Sequence, residues 1–491
     1  MSTRSGIYTD CMPLPELLPA RPGEPQHGRV ARSVREAVLA GALLPGQRLS
    51  TRALSQAWGV ARNTVQDATE QLAAEGYVEI RPRSGSYVSR RQEGAPARMV
   101  SPPEVPLSGW ATRALSGQQP DAPADFKIDL RLGQSPGLFP SELWAQALAR
   151  RASGPGLLLA MAEPRTNGLG PDELGPAETR QAIAAWLSRE RGAEVSPEMV
   201  MLTGGTQSAL DLLSRTYLEP GRTAVIEDPG YPGARRAFLA VGASVAGVPV
   251  DAGGLDVSRL PGAASLTYVT PGCQFPTTGV MSAERRQGLL AWAAQTRSFV
   301  IEDDYAADFH HAARPPTPLQ SLAPGSVILL GTFSQSLAPA LRSGYLVAPP
   351  QVVSVLARTR PLTDRHPPTL DALALSEFLA SGGYLRHLRR ARAQVAHRHD
   401  VLFGALRTEL PTLAPRPARA GLHLYLPLPA HLTEAGVLRR AADLGLGLSG
   451  VASYGQQPHA PALLLAFAHL KPEILREAAS RLTLVLATAG N

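Results

Sequence analysis

VILLGTFSQSLAPALRSGYLVAP, residues 327–349, sets two apolar runs around a polar loop. VILLG and GYLVA are short, uncharged and rich in branched aliphatic residues, which reads as two buried strands. The loop between them carries Thr332, Ser334 and Arg342, side chains suited to a phosphate group, with Gln335 among them. Upstream lie four more runs of the same kind: RTAVIEDP (222–229), ASVAGVPV (243–250), SLTYVTP (265–271) and SFVIEDD (298–304). Helical patterns such as SAERRQGLLAWAAQT (282–296) separate them, and this alternation predicts a mostly parallel α/β sheet wrapped by helices. Downstream the pattern changes to a long amphipathic helix at about 369–408, a strand GLHLYLPL, a helix, a strand ALLLAFA and a closing helix. That reads as a smaller C-terminal α/β subdomain.

Three further segments of this body carry candidate chemistry. Gly204-Gly205-Thr206-Gln207 follows the strand VMLT and opens a helix, where free backbone N–H groups can cradle a phosphate. A plain turn explains the same residues. In EDPGYPGARRAF, Tyr231 follows a strand, where its ring could stack on a flat cofactor or fill a core. SFVIEDDYAADF ends a strand in Asp303 and Tyr305, a carboxylate able to hold a pyridinium nitrogen and a phenol able to reach a ring oxygen.

The N-terminal part is different. Residues 1–24 are Pro-rich and expected to form a loose tail, and 25–90 read as helix, helix, helix, hairpin. Helices are expected at about 28–40, 51–58 and 62–74. The last has Val65, Ala68 and Leu72 on its inner face and Arg62, Asn63, Thr64 and Gln66 on its outer face. A hairpin tip Arg81-Pro82-Arg83-Ser84-Gly85-Ser86 follows, shaped as a basic wing. Residues 25–91 hold ten arginines against five acids, which is most of the chain's +7 net charge and points to a polyanion. Residues 91–125 carry Pro, Gly, Ser and Gln without periodicity and read as a linker; 126–491 form the body.

The stretch LPGQRLSTRALSQAWGVARNTVQDATEQLAAEGYVEIRPRSGSYV (44–88) resembles the GntR winged-helix family. The resemblance places the family's DNA-contacting positions on Arg52, Arg62, Asn63, Gln66 and the wing glycine Gly85, with Thr64, Arg81 and Arg83 beside them. One family residue, usually proline, is missing between Leu49 and Ser50, which could shift the start of the second helix. The body motifs GGTQ, TPGCQFPTTG, EDDYAADF and GTFSQSLAPALRSGYLVAPP, in this order, are similar to the fold-type-I aminotransferase body of the MocR-type subgroup of that family. The resemblance implies pyridoxal phosphate held as an effector by Gly205, Thr206, Gln207, Tyr231, Asp303, Tyr305, Thr332, Ser334 and Arg342. It also implies a head-to-tail homodimer and a double-stranded DNA operator as partner.

Four positions depart from the family. The family reads GTFSK, its lysine forming the Schiff base, where this chain has Gln335, whose carboxamide nitrogen is not nucleophilic. The two lysines of the chain, Lys127 and Lys471, lie outside the motif. Leu464 stands where aminotransferases commonly place a carboxylate-binding arginine, and Cys273 where the subgroup tends to have histidine. Leu169-Gly170-Pro171-Asp172 replaces a segment that usually begins Tyr-Gly-Asp. No catalytic residue is therefore expected, and the cofactor is held non-covalently or not at all. The alternatives are a regulator with a cofactor-free scaffold body, and an aminotransferase carrying a DNA-binding head.

At 491 residues with 44% hydrophobic content, the chain has room for several domains. No run of about 18 apolar residues suggests a membrane span, and MSTRSGIYTDCMPLPELL lacks the apolar stretch of a secretory signal. Two cysteines, Cys11 and Cys273, supply neither a disulfide framework nor a zinc site, and no metal is expected. A cytoplasmic location follows as the expectation.

Overall fold

Pro25 opens the first helix of the head, Gln26–Leu39, two residues earlier than the apolar spacing indicates. The computed structural model describes residues 14–90, 105–116, 125–154, 171–311, 315–364 and 368–488, in two units, Met1–Pro106 and Leu107–Asn491. Cys11, much of the linker and the Leu169-Gly170 pair lie outside the described residues.

In the head, Val30, Val34, Val65, Ala68 and Leu72 are buried together between the first helix and the helix Arg62–Ala74. Each valine or leucine so buried contributes about 1.5–3 kcal/mol. Strand β1 (Arg48–Leu49) leads into the helix Thr51–Trp58. Ser50 caps that helix, its hydroxyl accepting from Ala53 N at 3.2 Å, so the chain turns into it without the extra residue. Gly59, in the left-handed conformation at φ 61°, closes it. Strands β2 (Val78–Arg81) and β3 (Gly85–Val88) form the wing hairpin, in an antiparallel sheet of order β1-β3-β2.

Two expectations need correction. The Pro-rich segment 14–24 is not loose: Trp58 Nε1 donates to Pro15 O at 2.8 Å, Arg29 Nε to Leu18 O at 2.6 Å, and Arg32 pairs with Glu24 at 2.7 Å. Leu17 packs on the head's core. Carbonyls of an extended segment leave no trace in hydrophobic periodicity, so this docking could not be read from the pattern. Within the expected linker, Gly109–Leu115 is a helix that Ser108 caps, held to the body by Arg113 Nε donating to Ala240 O at 3.1 Å.

The body begins at β4 (Ile128–Asp129). Its main sheet contains β5 (Val200–Thr203), β6 (Thr223–Asp228), β7 (Ser244–Asp251), β8 (Gly254–Leu255), β9 (Leu266–Val269), β10 (Phe299–Asp303), β11 (Val327–Thr332) and β12 (Gly344–Val347). The order is β5-β12-β11-β10-β9-β6-β7-β8, with β12 antiparallel to both neighbours and β8 antiparallel to β7. Uninterrupted apolar strands such as Val327–Leu330 are buried on both faces, as a helix-covered parallel sheet requires.

The C-terminal subdomain pairs β13 (His423–Pro427), β15 (Ser449–Gly450) and β16 (Ala462–Ala466) in order β13-β16-β15, while β14 (Leu446–Gly447) pairs with β4. Ile128 and Leu130 therefore join the core of the last hundred residues rather than that of the main sheet. The helix expected at 369–408 is two helices, Thr369–Ala380 and Gly383–Glu409. They are broken at Gly382, whose φ of 69° is left-handed. Among the described residues no helix is long and apolar enough to cross a membrane.

Candidate functional site

Parallel strands bring their carboxyl ends to one edge, and ligands of such sheets bind there. Asp303 ends β10, 4% exposed. Its Oδ2 accepts from the Tyr268 hydroxyl of neighbouring β9 at 2.6 Å, whereas Oδ1 is buried without a hydrogen bond among the described residues. Burial pushes Asp303 up to about 7, against the pull of the Tyr268 hydroxyl and of the nearby Tyr305 backbone N–H. Tyr231 lies over this pair, its ring near-parallel to Tyr268 (29°, 6.1 Å between centroids) and edge-on to Phe275.

The Tyr305 hydroxyl donates to Cys273 Sγ at 3.4 Å, and the thiol donates to Ala420 O at 3.4 Å. Burial pushes that thiol up to about 12, so Cys273 is neutral. Glu227, one residue before the end of β6, accepts from Thr270 N and Oγ1 and from Gln274 Nε2, and its other oxygen is buried without a hydrogen bond among the described residues. Burial pushes it up to about 7 as well. Asp228 beside it ties down the loop before β16, accepting from Gln456 N, Gln457 N and His459 Nε2 at 2.7–3.2 Å.

The candidate phosphate ligands gather next to this cluster. Gly205, at φ 100°, precedes the helix Thr206–Tyr217, and a β-carbon on it would lie 3.7 Å from the Arg342 guanidinium. A β-carbon on Gly344 would come within 2.8 Å of Gly205 Cα, so only glycine permits β12 to pass this turn. Thr332 pairs with Gly344, and its Oγ1 accepts from Ser334 N at 3.1 Å. Gln207 Nε2 donates to Gly233 O at 3.4 Å, and Gly233 also backs the Tyr231 ring. A cavity of about 330 Å³ is lined in part by Gln207, Ser208, Arg342 and Arg360. Gln207 and Tyr231 both lie against Gly233, which sets the expected cup beside the expected ring clamp.

Gln335 follows Ser334, half-buried and without a hydrogen bond among the described residues. The next residue, Ser336, is fixed by a buried chain: its hydroxyl meets Tyr384 OH at 2.7 Å, and Tyr384 OH donates to Asp308 Oδ2 at 2.5 Å. Lys127 lies against Gly445 and Lys471 is exposed before the closing helix, both outside this cluster. Leu464 is fully buried in β16, its neighbours Leu463 and Leu465 facing the subdomain core.

The residues fit a phosphopyridine. An orphaned, buried carboxylate oxygen at a strand end suits a pyridinium N–H, and a glycine turn beside an arginine suits a phosphate. Sequence reasoning missed Tyr268, Glu227 and Gln274. Tyr268 reads as a core aromatic in SLTYVTP until strand pairing sets it beside Ile301, two residues from Asp303.

On the head, Arg52, Arg62, Asn63, Gln66 and Arg83 are exposed, while Thr64, Arg81 and Gly85 are half-buried. Gln66 Nε2 donates to Glu70 at 3.2 Å. Arg52, Arg62 and Arg83 form no ion pair among the described residues, whereas Arg32, Arg35 and Arg81 are paired with Glu24, Glu75 and Glu79. Part of the head's positive charge is thus spent internally.

Residues 26–88 match the bacterial regulatory proteins, gntR family, and residues 127–482 match aminotransferase class I and II. The probable rhizopine catabolism regulatory protein MocR of Rhizobium meliloti is 32% identical over 472 residues, 92% of each chain. The chain belongs to the MocR-type branch of the GntR family. The pyridoxine biosynthesis transcriptional regulator PdxR of Corynebacterium glutamicum is 34% identical, over 81% of this chain and 82% of that one. Among solved structures, α-aminoadipate aminotransferase LysN of Thermus thermophilus, complexed with N-(5'-phosphopyridoxyl)-L-leucine, superposes with a TM-score of 0.68 at 26% identity. That match covers 78% of this chain and 97% of LysN. This MocR-type chain therefore joins a winged helix-turn-helix head to a fold-type-I aminotransferase-like body. Its head is of a DNA-binding family, and its relatives include named transcriptional regulators.

Proposed function

We propose that the chain is a DNA-binding transcription regulator, not an enzyme, whose body takes pyridoxal 5'-phosphate or a close phosphopyridine as a reversibly bound effector. The observation that carries this reading is Asp303, with one oxygen bonded to Tyr268 and the other buried and without a hydrogen bond among the described residues. Leaving such an oxygen unmet costs about 1–3 kcal/mol, which a pyridinium N–H would offset. Gly205, Thr206, Gln207, Thr332, Ser334 and Arg342 would hold the phosphate, Tyr231 would cover the ring, and the Tyr305 hydroxyl would turn from Cys273 to the ring oxygen. Bound there, the group would supply an electron-withdrawing ring and an aldehyde. Gln335 can hydrogen-bond that aldehyde but cannot link to it or move a proton at the adjacent carbon, which argues against transamination.

The body would pair head-to-tail with a second copy, placing two heads on the half-sites of a cytoplasmic operator. Isothermal titration of the purified chain with pyridoxal phosphate tests the effector reading. Saturable binding that dialysis reverses, weakened at least tenfold in Asp303→Ala, is expected. Absence of binding would leave the body as a cofactor-free scaffold.

A further inference from the structure

Arg81, Arg83 and Arg48 sit at the wing in different settings. Arg81, at the end of β2, is engaged on both sides: its guanidinium pairs with Glu79 at 3.0 Å and lies 4.6 Å from the centroid of the Tyr87 ring. Arg83 occupies the turn itself, exposed and at φ 65°. Arg48 arrives from β1, far earlier in the chain, through antiparallel pairing with Tyr87. It is exposed, has no ion pair among the described residues, and lies against Gly85, where a β-carbon would come within 3.3 Å of its Nε.

We propose that Arg48, together with Arg83, makes the wing's contact with the DNA backbone, and that Arg81 is a positioning residue that stiffens the hairpin. A guanidinium stacked on Tyr87 and paired with Glu79 is held against the hairpin, and Glu79 beside it repels a phosphate. Arg48 has neither contact among the described residues. Its planar fork matches a phosphate, and the missing side chain at Gly85 leaves room for the strand to approach it. The role of Gly85 thus changes from a direct contact to the clearance that lets Arg48 work. The position escaped the sequence reading because only the pairing of β1 with β3 brings Arg48 to the wing.

The inference rests on the head binding DNA, and the experiment separates the two. Fluorescence anisotropy of the full chain on a labelled duplex of arbitrary sequence is followed from about 50 to 200 mM salt, where each lost phosphate contact lowers the slope of log affinity against log salt by about 0.9. Arg48→Ala is expected to lower the slope by about one such step, Arg48→Lys to keep it, and Arg81→Ala to leave it unchanged. A wild-type slope in Arg48→Ala, on a duplex that the unaltered chain binds with steep salt dependence, overturns the wing assignment while leaving DNA binding intact. A loss in Arg81→Ala equal to that in Arg48→Ala overturns the division of roles.

Discussion

Tyr268 donates its phenolic proton to one oxygen of Asp303 at 2.6 Å and leaves the other oxygen buried, without a hydrogen bond among the described residues. The two residues come from adjacent strands, and the hydrogen bond aims the free oxygen while opposing the upward push of burial on the carboxyl. Tyr268→Phe keeps the ring beneath Tyr231 and removes only the donor. Asp303 then stays protonated to higher pH and holds a pyridinium less well. Pyridoxal phosphate affinity is expected to fall roughly tenfold, the size of one charge-assisted hydrogen bond. Unchanged affinity by titration would take Tyr268 out of the site.

The raised carboxyl also has a signature in stability. An acid whose folded pKa lies above its unfolded value stabilises the fold below the ordinary carboxylate range, and that contribution is lost as pH rises through about 7. Asp303→Asn has no such proton to lose. In ligand-free protein the melting temperature of Asp303→Asn minus that of wild type is expected to grow by about 2 °C or more between roughly pH 4 and pH 7 and then level off. Glu227 and Glu302, both pushed up to about 7 by burial, and His310 and His311, pushed down to about 4, titrate in both proteins and cancel to first order. A flat difference would show that Asp303 is not held neutral.

Much of this was legible in the chain itself. Apolar strands such as VILLG, the GGTQ turn and the Arg62–Ala74 helix announce themselves by periodicity and by glycine position, because local sterics set them. Tyr268, Glu227 and Arg48 did not, because each acts through a neighbour that is close only after strands pair. The 14–24 segment was misread for a related reason: its backbone carbonyls, not its side chains, make the contacts. The break at Gly382 lay in plain view as Ser-Gly-Gly, but a continuing amphipathic pattern on either side masked it.

Arg62 opens the Arg62–Ala74 helix, exposed and without an ion pair among the described residues. Arg62→Ala is expected to weaken binding to an operator selected from random duplexes by about 1–3 kcal/mol if the contact is a bidentate one to a base edge. An operator affinity equal to wild type, measured by anisotropy at fixed salt, would remove Arg62 from the recognition surface.

Assembly is open to a direct measurement. Sedimentation velocity of the full chain at micromolar concentration is expected to give a dimer, in keeping with two heads reading two half-sites. A monomer that still binds a selected operator tightly would contradict the paired arrangement.

The most direct test of a preserved cofactor site without its covalent anchor is Gln335→Lys. Wild type and variant are each incubated with pyridoxal phosphate, reduced with borohydride and mapped by peptide mass spectrometry. The account predicts reversible binding in both proteins and a reduced phosphopyridoxyl adduct at position 335 in the variant alone. Asp303 and Arg342 would already hold ring and phosphate in place for the new amine, while transamination would stay absent. No adduct at position 335 and no cofactor binding in either protein would contradict it, leaving a body that only holds two heads together.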